Sequence, residues 1–307
     1  MRVVFMGTPD FAVPSLERVA QSGHELVGVV TRPDKPRGRG QQMQPTEVKA
    51  AVESLELGVP ILQPESLKDE SFQRELADLN ADLFAVVAFL ILPRSVLAIP
   101  KLGSVNVHPS LLPKYRGAAP IQWAIIKGEE ETGVTIFQLS PRVDAGDILI
   151  QEQVAIGADE TAGALYERMK VKGAELLVQA ISGVADGSLS SIPQSDKGAS
   201  RAPKLEKSDG QIDWTQSAQD IRNLIRGTNP FPGAFTLWRN KPLKVHRATV
   251  AEGSGEPGTA IDVGNRLVVG TGGGTLVLDE VQPPGKKRMS GADFVRGYRI
   301  EVGEVFG

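Results

Sequence analysis

The chain has 307 residues, of which 41% are hydrophobic and 23% are charged, and its formal net charge is −3. This length suits about two globular domains, and the absence of cysteine excludes disulfide bonds, thiolate catalysis and cysteine-ligated zinc sites. The apolar runs at the start of the chain and at Leu83–Pro93 are shorter than a secretory signal or a membrane span requires. We therefore expect a cytoplasmic protein that does not associate with membranes.

The first half of the chain alternates buried strands with amphipathic helices. Val3–Gly7 predicts a strand, the segment up to Gly23 carries apolar residues at helical spacing, and Glu25–Val30 predicts a second strand. The alternation continues through the helical segments TEVKAAVESL and DESFQRELADL and the strand segments PILQP, LFAVVAFLIL, SVNVH, GVTIFQL and ILIQEQVAI. This pattern predicts an α/β fold of the Rossmann-like class, with a doubly wound, largely parallel sheet covered on both faces.

The second half of the chain follows a different pattern. A long amphipathic helix between Glu160 and Leu189 is followed by a polar stretch, residues 190–211, that predicts a linker. After one further helix, Ser217–Gly227, short strands separated by turn residues predict a small antiparallel β-barrel of the OB type. The predicted domains are therefore 1–189, which would carry the catalytic site, and 212–307.

Charge is distributed unevenly along the chain. Residues 201–250 carry nine Lys and Arg against four Asp and Glu, although the whole chain is slightly acidic. A basic segment on an acidic protein favours an anionic partner for the second domain. Solvated surface charge without a partner is the alternative, and the count alone does not decide between the two.

Asn106 and His108 stand at the end of a predicted strand, Ser104–His108, and His108 is one of only three histidines. Residues two apart on a strand point to the same face, so both side chains project from its carboxyl end, where open parallel sheets bind ligands. An amide donor beside an imidazole suits the stabilisation of a developing oxyanion. A structural histidine that caps the strand is the alternative.

The turn Ser140–Gln151, just past a later predicted strand, offers Asp144 and Asp147. A carboxylate beside His108 would raise the pKa of the imidazole and help to move a proton. A metal site made of these three residues is the competing interpretation. We disfavour it, because one His with two Asp, and no His or Cys cluster, is a weak ligand set for a transition metal. A serine hydrolase is poorly supported, since no serine stands in a G-x-S-x-G elbow.

Two segments, NVHPSLLPKYRGAAPIQWAI and ETGVTIFQLSPRVDAGDIL, resemble the signature of the 10-formyltetrahydrofolate-dependent formyltransferases in the order and spacing of the HPSLLP loop and the DAGD turn. The opening VVFMGTPDFAVPSL, the basic stretch TRPDKPRGRGQQMQPTEVK and the ending PPGKKRMSGADFVRG extend the resemblance over essentially residues 2–300, to the family members that act on methionyl-tRNA. One departure is visible. The family usually has a glycine after the aromatic residue in the strand beside the folate, whereas here Phe89 is followed directly by Leu90.

The resemblance implies transfer of a formyl group from 10-formyltetrahydrofolate, without a metal, to the free amino group of methionyl initiator tRNA. It implies that Asn106 and a charged His108 hold the oxyanion, that Asp144 keeps His108 charged, and that Thr135 supports His108. It also implies that folate binds against two segments and one turn residue: Ala88, Phe89, Leu90, Ile91, Leu92 and Pro93; Ser110, Leu111, Leu112 and Pro113; and Val143.

The resemblance further implies that basic residues bind the acceptor stem of the tRNA, mainly through its phosphates. An OB-like barrel is a recurrent nucleic-acid surface. The candidates lie in the basic stretch, in the loop after the HPSLLP motif, in the linker and on the barrel: Arg37, Arg39, Arg116, Lys204, Lys207, Arg239, Lys241, Lys286 and Lys287. We expect a monomeric enzyme of translation initiation.

Other functions are compatible with part of this pattern. A sugar-nucleotide formyltransferase would share Asn106, His108 and Asp144 but act on a small amine, and the basic segments argue against it. A formyl-folate hydrolase would use water as the acceptor and would need no tRNA surface. A nucleic-acid-binding module with an inactive catalytic domain has its only support in the missing glycine after Phe89.

Overall fold

The computed structural model describes residues 1–37 and 40–307. They form two compact units that alternate along the chain. The first unit contains Met1–Gly117, Thr132–Val154 and Tyr166–Arg201, and the second contains Ala118–Glu131, Ala155–Leu165 and Ala202–Gly307. The domain limits expected from the sequence, 1–189, 190–211 and 212–307, stay predictions.

The strands of the first half are, in chain order, β1 (Arg2–Gly7), β2 (Glu25–Val30), β3 (Lys35–Arg37), β4 (Gln42–Gln44), β5 (Ile61–Leu62), β6 (Leu83–Val87), β7 (Ser104–His108), β8 (Glu131–Gln138) and β9 (Ile148–Ala155). In the described residues, a seven-stranded sheet has the order β5-β2-β1-β6-β7-β8-β9, and β3 pairs with β4 in a separate hairpin. In this sheet order, the neighbouring strands β5, β2, β1, β6 and β7 pair in parallel, whereas β8 runs antiparallel to β7. The predicted α/β class is confirmed, and the sheet is parallel-rich but mixed.

The strand order reverses beside β1. The chain passes from β1 outwards to β2 and β5, and then crosses back to β6 and β7 on the other side. At such a switch point the loops after the two central strands turn in opposite directions and leave a crevice at the carboxyl ends of the strands, where doubly wound folds bind ligands. In this chain the crevice lies at the ends of β1 and β6.

The helices up to residue 186 are α1 (Val13–Ala20), α2 (Glu47–Ser54), α3 (Glu70–Asp78), α4 (Arg94–Leu97), α5 (Pro120–Ile126) and α6 (Ala162–Asp186). Side chains cap three of them: Thr46 accepts from the backbone N–H of Lys49 at the start of α2, Asp69 from that of Ser71 at the start of α3, and Thr161 from that of Ala164 at the start of α6. Phe72 and Leu76 of α3 pack in one apolar cluster with buried residues of β1, β2 and β6. This burial of one helical stripe against the sheet holds the central strands in place.

The second unit contains an antiparallel sheet. Its remaining elements are α7 (Ala218–Gly227), β10 (Ala234–Trp238), β11 (Lys241–Ala251), β12 (Ala260–Asp262), β13 (Val268–Gly270), β14 (Thr275–Gln282), β15 (Met289–Ser290) and α8 (Gly291–Tyr298). The strand order is β10-β11-β14-β13-β12, with β15 on β14. Phe306 bridges to Trp238 at the end of β10, and Val305 bridges to Thr259 beside β12, so the last residues close the sheet towards a barrel.

Across the two described ranges, none of the helices combines the length and the apolar character needed to cross a membrane.

Candidate active site

The strand β7 presents Asn106 and His108 on one face of the sheet, as the two-residue spacing predicts. Val105 and Val107 are buried and point to the other face. Asn106 pairs with Val86 of β6 and His108 pairs with Thr135 of β8. Both side chains therefore lie at the carboxyl end of β7, next to β6 and the crevice at the switch point.

His108 is buried, with 4% of its surface exposed, and its orientation is fixed by a backbone carbonyl. The ring atom Nε2 lies 2.9 Å from the carbonyl oxygen of Tyr115. Because a carbonyl oxygen can only accept, Nε2 carries the proton and donates it. In the neutral ring Nδ1 is then unprotonated, with a lone pair that can accept a proton from a reacting group.

Asp144 stands beside this free nitrogen. Its Oδ2 atom lies 3.9 Å from Nδ1 of His108, which is an ion-pair distance but too long for a hydrogen bond. The same Oδ2 accepts a 2.8 Å hydrogen bond from the backbone N–H of Gly117, and the backbone of Asp144 has a left-handed φ of 49°. The turn after β8 therefore holds the carboxylate near His108 without engaging the imidazole directly.

Burial lowers the pKa of His108 below its ordinary value, and the nearby Asp144 carboxylate and the Tyr115 carbonyl only partly oppose this effect. The sequence led us to expect a His108 that Asp144 keeps charged. That expectation stays a prediction, since burial and the carboxylate 3.9 Å away act on this pKa in opposite directions. In its neutral form, His108 can act as a base through Nδ1.

The amide of Asn106 is half-buried and makes no hydrogen bond to any other residue in the described part of the chain. A partly enclosed amide without a protein partner is available to a ligand, since buried polar groups are otherwise satisfied. Asn106 is therefore free to donate to an oxygen bound near His108.

Thr135 does not support His108 in the expected way. Its hydroxyl donates to the carbonyl of Ser110 at 2.6 Å and accepts from the backbone N–H of Leu112 at 3.2 Å and from Nε2 of Gln151 at 2.7 Å. Its role is to hold the loop after β7. Gln151 and the carbonyl of Tyr115 were not among the sequence candidates, and a backbone acceptor leaves no signal in the sequence.

The residues expected to bind folate continue directly from β6. Val87, the last residue of β6, pairs with Val107, and Ala88 directly after it has a left-handed φ of 47°. Three apolar side chains remain open to solvent: Leu90 is 40% exposed, Ile91 75% and Val143 54%. Exposed apolar groups beside a crevice suit the flat ring of an organic ligand.

The other candidates for folate binding differ in exposure. Phe89, Pro93, Leu111 and Pro113 are half-buried, whereas Leu92, Ser110 and Leu112 are buried. The hydroxyl of Ser110 is already used, since it donates to the carbonyl of Lys114 at 2.7 Å. The assignment of these residues to folate binding stays a prediction.

The basic candidates of the first unit differ in how they are held. Arg37 ends β3, and Arg39 lies outside the described residues. The guanidinium group of Arg116 donates to Oε1 of Gln194 and, at 2.8 Å, to Oδ1 of Asp196. Arg116 is therefore already paired within its own unit.

In the second unit, the lysine candidates are exposed and have no ion-pair partner among the described residues: Lys204, Lys207, Lys241, Lys286 and Lys287. Arg239 is held more firmly. Its guanidinium carbon lies 4.5 Å from the centre of the Trp238 ring, and its Nε donates to Glu304 at 2.8 Å. These unpaired lysines are free to meet phosphates.

Within the described residues, no group of three or more His, Asp or Glu side chains is arranged to hold a metal ion. Asp147 contributes only its backbone, whose carbonyl accepts from the N–H of Gln138. The geometry thus gives no support to the competing metal site of His108, Asp144 and Asp147.

Comparison with known families identifies both parts of the chain. The model of the formyl transferase family matches residues 1–181, and the model of the formyl transferase C-terminal domain matches residues 204–299. The chain belongs to the formyl transferase family.

Full-length relatives of this formyl transferase have one name in common. This chain is 46% identical to the methionyl-tRNA formyltransferase of Alkaliphilus oremlandii, with 100% of both chains covered. It is 47% identical to that of Pelotomaculum thermopropionicum, with 100% of this chain and 99% of that one covered. It is 45% identical to the methionyl-tRNA formyltransferase of Geobacter metallireducens, with 99% and 97% covered.

Solved structures are similar in fold. The sugar 3N-formyl transferase WlaRD superposes with a TM-score of 0.69 at 19% identity, covering 94% of this chain and 99% of that one. HypX from Aquifex aeolicus, solved with tetrahydrofolic acid, gives a TM-score of 0.63 at 19% identity, covering 99% of this chain and 48% of that one. At these identities the similarity establishes the fold alone.

Proposed function

We propose that this formyl transferase moves a formyl group from 10-formyltetrahydrofolate to the free amino group of methionyl initiator tRNA, as a monomer in the cytoplasm. The observation that carries the proposal is the 44–47% identity to methionyl-tRNA formyltransferases over essentially the whole chain, the second unit included. A sugar-nucleotide acceptor is less well supported, because the sugar formyl transferases with similar structures are only 18–20% identical.

In this reaction the amine nitrogen bonds to the formyl carbon, the bond from that carbon to N10 of the folate breaks, and one proton leaves the amine. The donor supplies the activated formyl group. The protein must place the two reactants together, accept a proton and stabilise negative charge on the formyl oxygen. Positioning and oxyanion stabilisation are each worth several kcal/mol in enzymes.

His108 supplies the base. Its Nε2–H is engaged by the Tyr115 carbonyl, so the ring cannot rotate freely and the unprotonated Nδ1 faces the site. Uptake of the amine proton at Nδ1 turns His108 into an imidazolium, which the Asp144 carboxylate 3.9 Å away stabilises. The protonated Nδ1 can then donate to the oxyanion or return its proton to the leaving nitrogen.

Asn106 supplies the neutral donor. Its amide has no partner among the described residues and lies on the same face as His108, so its N–H can point at the formyl oxygen. The segment 88–93, the loop 110–113 and Val143 would hold the folate. The exposed apolar side chains of Leu90, Ile91 and Val143 beside the switch point fit such a ring.

The lysines of the second unit and the basic hairpin formed by β3 and β4 would bind the phosphates of the acceptor stem. The proposal therefore includes Arg37, Arg39 and Arg116 of the first half and the exposed lysines together with Arg239 of the second. Binding of this kind weakens steeply as salt is added, because bound counterions are released from the RNA.

The test is transfer of labelled formyl from 10-formyltetrahydrofolate to methionyl initiator tRNA, with uncharged tRNA and a free amino-sugar nucleotide as controls. We expect label on methionyl-tRNA only, and almost none with His108→Ala. Label released to water would support a formyl-folate hydrolase instead, and label on the sugar nucleotide would replace the proposed acceptor.

A further inference from the structure

The strands β3 and β4 form a two-stranded hairpin in which Lys35 pairs with Gln44 and Arg37 with Gln42. The hairpin leaves the sheet after β2 and returns at α2, and in the described part of the chain it pairs with no other strand. An isolated two-stranded hairpin is only marginally stable in water. Its direction must therefore depend on how its two ends are held.

Three side chains hold the leading end, and we call them the root cluster: Asp34, directly before β3; Lys49, in the first turn of α2; and Gln63, directly after β5. Lys49 Nζ donates to Oδ2 of Asp34 at 2.7 Å and to Oε1 of Gln63 at 3.0 Å. Gln63 Nε2 donates to Oδ1 of Asp34 at 2.7 Å and to the carbonyl of Arg32 at 2.8 Å. Both carboxylate oxygens of Asp34 are thus occupied.

The returning end is tied to the leading end by two threonines. The hydroxyl oxygens of Thr31 and Thr46 lie 2.8 Å apart and are buried. Thr31 also donates its backbone N–H to the carbonyl of Leu62 in β5, and Thr46 caps α2 by accepting from the N–H of Lys49. Both ends of the hairpin are therefore joined to each other and to the edge of the sheet.

The charge pattern of this segment makes Asp34 unusual. It is the only acidic residue between Thr31 and Thr46, a segment that also contains Arg32, Lys35, Arg37 and Arg39. Hydrogen bonds from Lys49 and Gln63 lower the pKa of Asp34, so it is charged at neutral pH. A carboxylate in a cationic segment works against RNA binding, and its fully satisfied contacts indicate a different role.

We infer that the root cluster of Asp34, Lys49 and Gln63 is a positioning device that sets the direction of the basic hairpin, so that its cations meet the phosphates of the RNA substrate. The inference rests on the proposed function. No member of the cluster contacts the residues assigned to the chemical step, so we place its effect on the capture of tRNA and not on the rate of formyl transfer.

The decisive variant is Asp34→Asn, since two simple ideas predict opposite results for it. If Asp34 were only a surface charge, its neutralisation would strengthen tRNA binding. If it anchors the hairpin, the KM for methionyl-tRNA rises by about fivefold, the upper end of the effect of losing one partly exposed ion pair. The kcat and the KM for 10-formyltetrahydrofolate stay unchanged.

Matched variants complete the experiment. Lys49→Met is expected to raise the same KM, whereas Lys49→Arg, which keeps a charged donor, stays within about twofold of the wild type. Glu53→Gln makes the same chemical change in charge on an exposed position of α2 and serves as the control. In the free protein, trypsin should cut after Arg37 and Arg39 faster in Asp34→Asn than in Glu53→Gln.

A tRNA KM that falls or stays level in Asp34→Asn overturns the inference, as does equal tryptic cleavage in the two variants. A lower kcat, a rise in both KM values and a lower thermal stability, all together, also overturn it, because the cluster would then be merely structural. A wild-type chain that formylates no methionyl-tRNA would instead overturn the proposed function, and the wild-type control detects this separately.

Discussion

The substitution Asp144→Asn tests how the site controls the proton on His108. The amide oxygen of Asn can still accept from the N–H of Gly117, so the turn keeps its hydrogen bond while the negative charge is lost. Asp144 and His108 are 3.9 Å apart, with side chains only 13% and 5% exposed, so the charge acts on the imidazole with little screening by solvent.

The size of the effect follows from this distance. Two unit charges about 4 Å apart interact by about 4 kcal/mol at an effective dielectric constant of about 20. The interaction exists only when His108 is protonated, which in our account occurs during the reaction. Its loss would therefore slow formyl transfer by about 10²–10³-fold, since each ~1.4 kcal/mol is a factor of ten.

The variant should also shift the pH dependence. Burial already lowers the pKa of His108 and the Asp144 charge partly restores it, so removal of the charge lowers this pKa further. The acid limb of kcat/KM should move to lower pH while the plateau falls. The acceptor amine titrates in the same way with both enzymes, so the difference between the profiles reports His108.

The assay is the pH profile of formyl transfer to methionyl-tRNA by the wild type, by Asp144→Asn, and by Asp78→Asn as an exposed control on α3. An unchanged plateau would refute the role of the carboxylate. An activity that falls in the wild type as pH rises through the His108 titration would refute the neutral base and favour an imidazolium present from the start.

Asn106→Ala should lower kcat by about 10²–10³-fold with little change in thermal stability, since an oxyanion donor is lost and no protein hydrogen bond is broken; steady-state kinetics and a melting curve check this. Because the pKa of His108 is lowered in the folded chain, the unfolded chain binds more protons as pH falls below about 6.5. The free energy of unfolding, measured by denaturant titration, should therefore decrease from about pH 7 to about pH 5, and it should decrease less in His108→Gln. Joint replacement of Lys241, Lys286 and Lys287 by Ala should reduce the slope of log affinity for tRNA against log salt by roughly two to three, and an unchanged slope would remove these lysines from the interface.

The main features of the site could be predicted from the sequence because they depend on short-range geometry. The two-residue period of a strand puts Asn106 and His108 on one face, and the alternation of apolar strands with helices puts that strand in a parallel-rich sheet. The mixed edge could not be predicted, since an apolar run such as that of β8 looks the same whether its neighbour is parallel or antiparallel.

The surroundings of His108 depend on contacts that the sequence does not encode locally. The Tyr115 carbonyl reaches the ring only because the loop after β7 folds back over it, and the degree of burial that lowers the pKa results from the whole packed site. The hydroxyl of Thr135 turned to the carbonyl of Ser110 for the same reason. The β3–β4 hairpin was missed because its residues, KPR and QMQ, carry no alternating apolar pattern.

A competition between two acceptors in one reaction tests which amine this enzyme formylates. Methionyl initiator tRNA and an amino-sugar nucleotide, at equal concentration, would share limiting 10-formyltetrahydrofolate in a single turnover, and mass spectrometry would identify the products. We predict formylmethionyl-tRNA as the dominant product at moderate salt, and its loss with His108→Ala. Formyl sugar or free formate as the dominant product would contradict the proposed acceptor, even if the same Asn106, His108 and Asp144 were required.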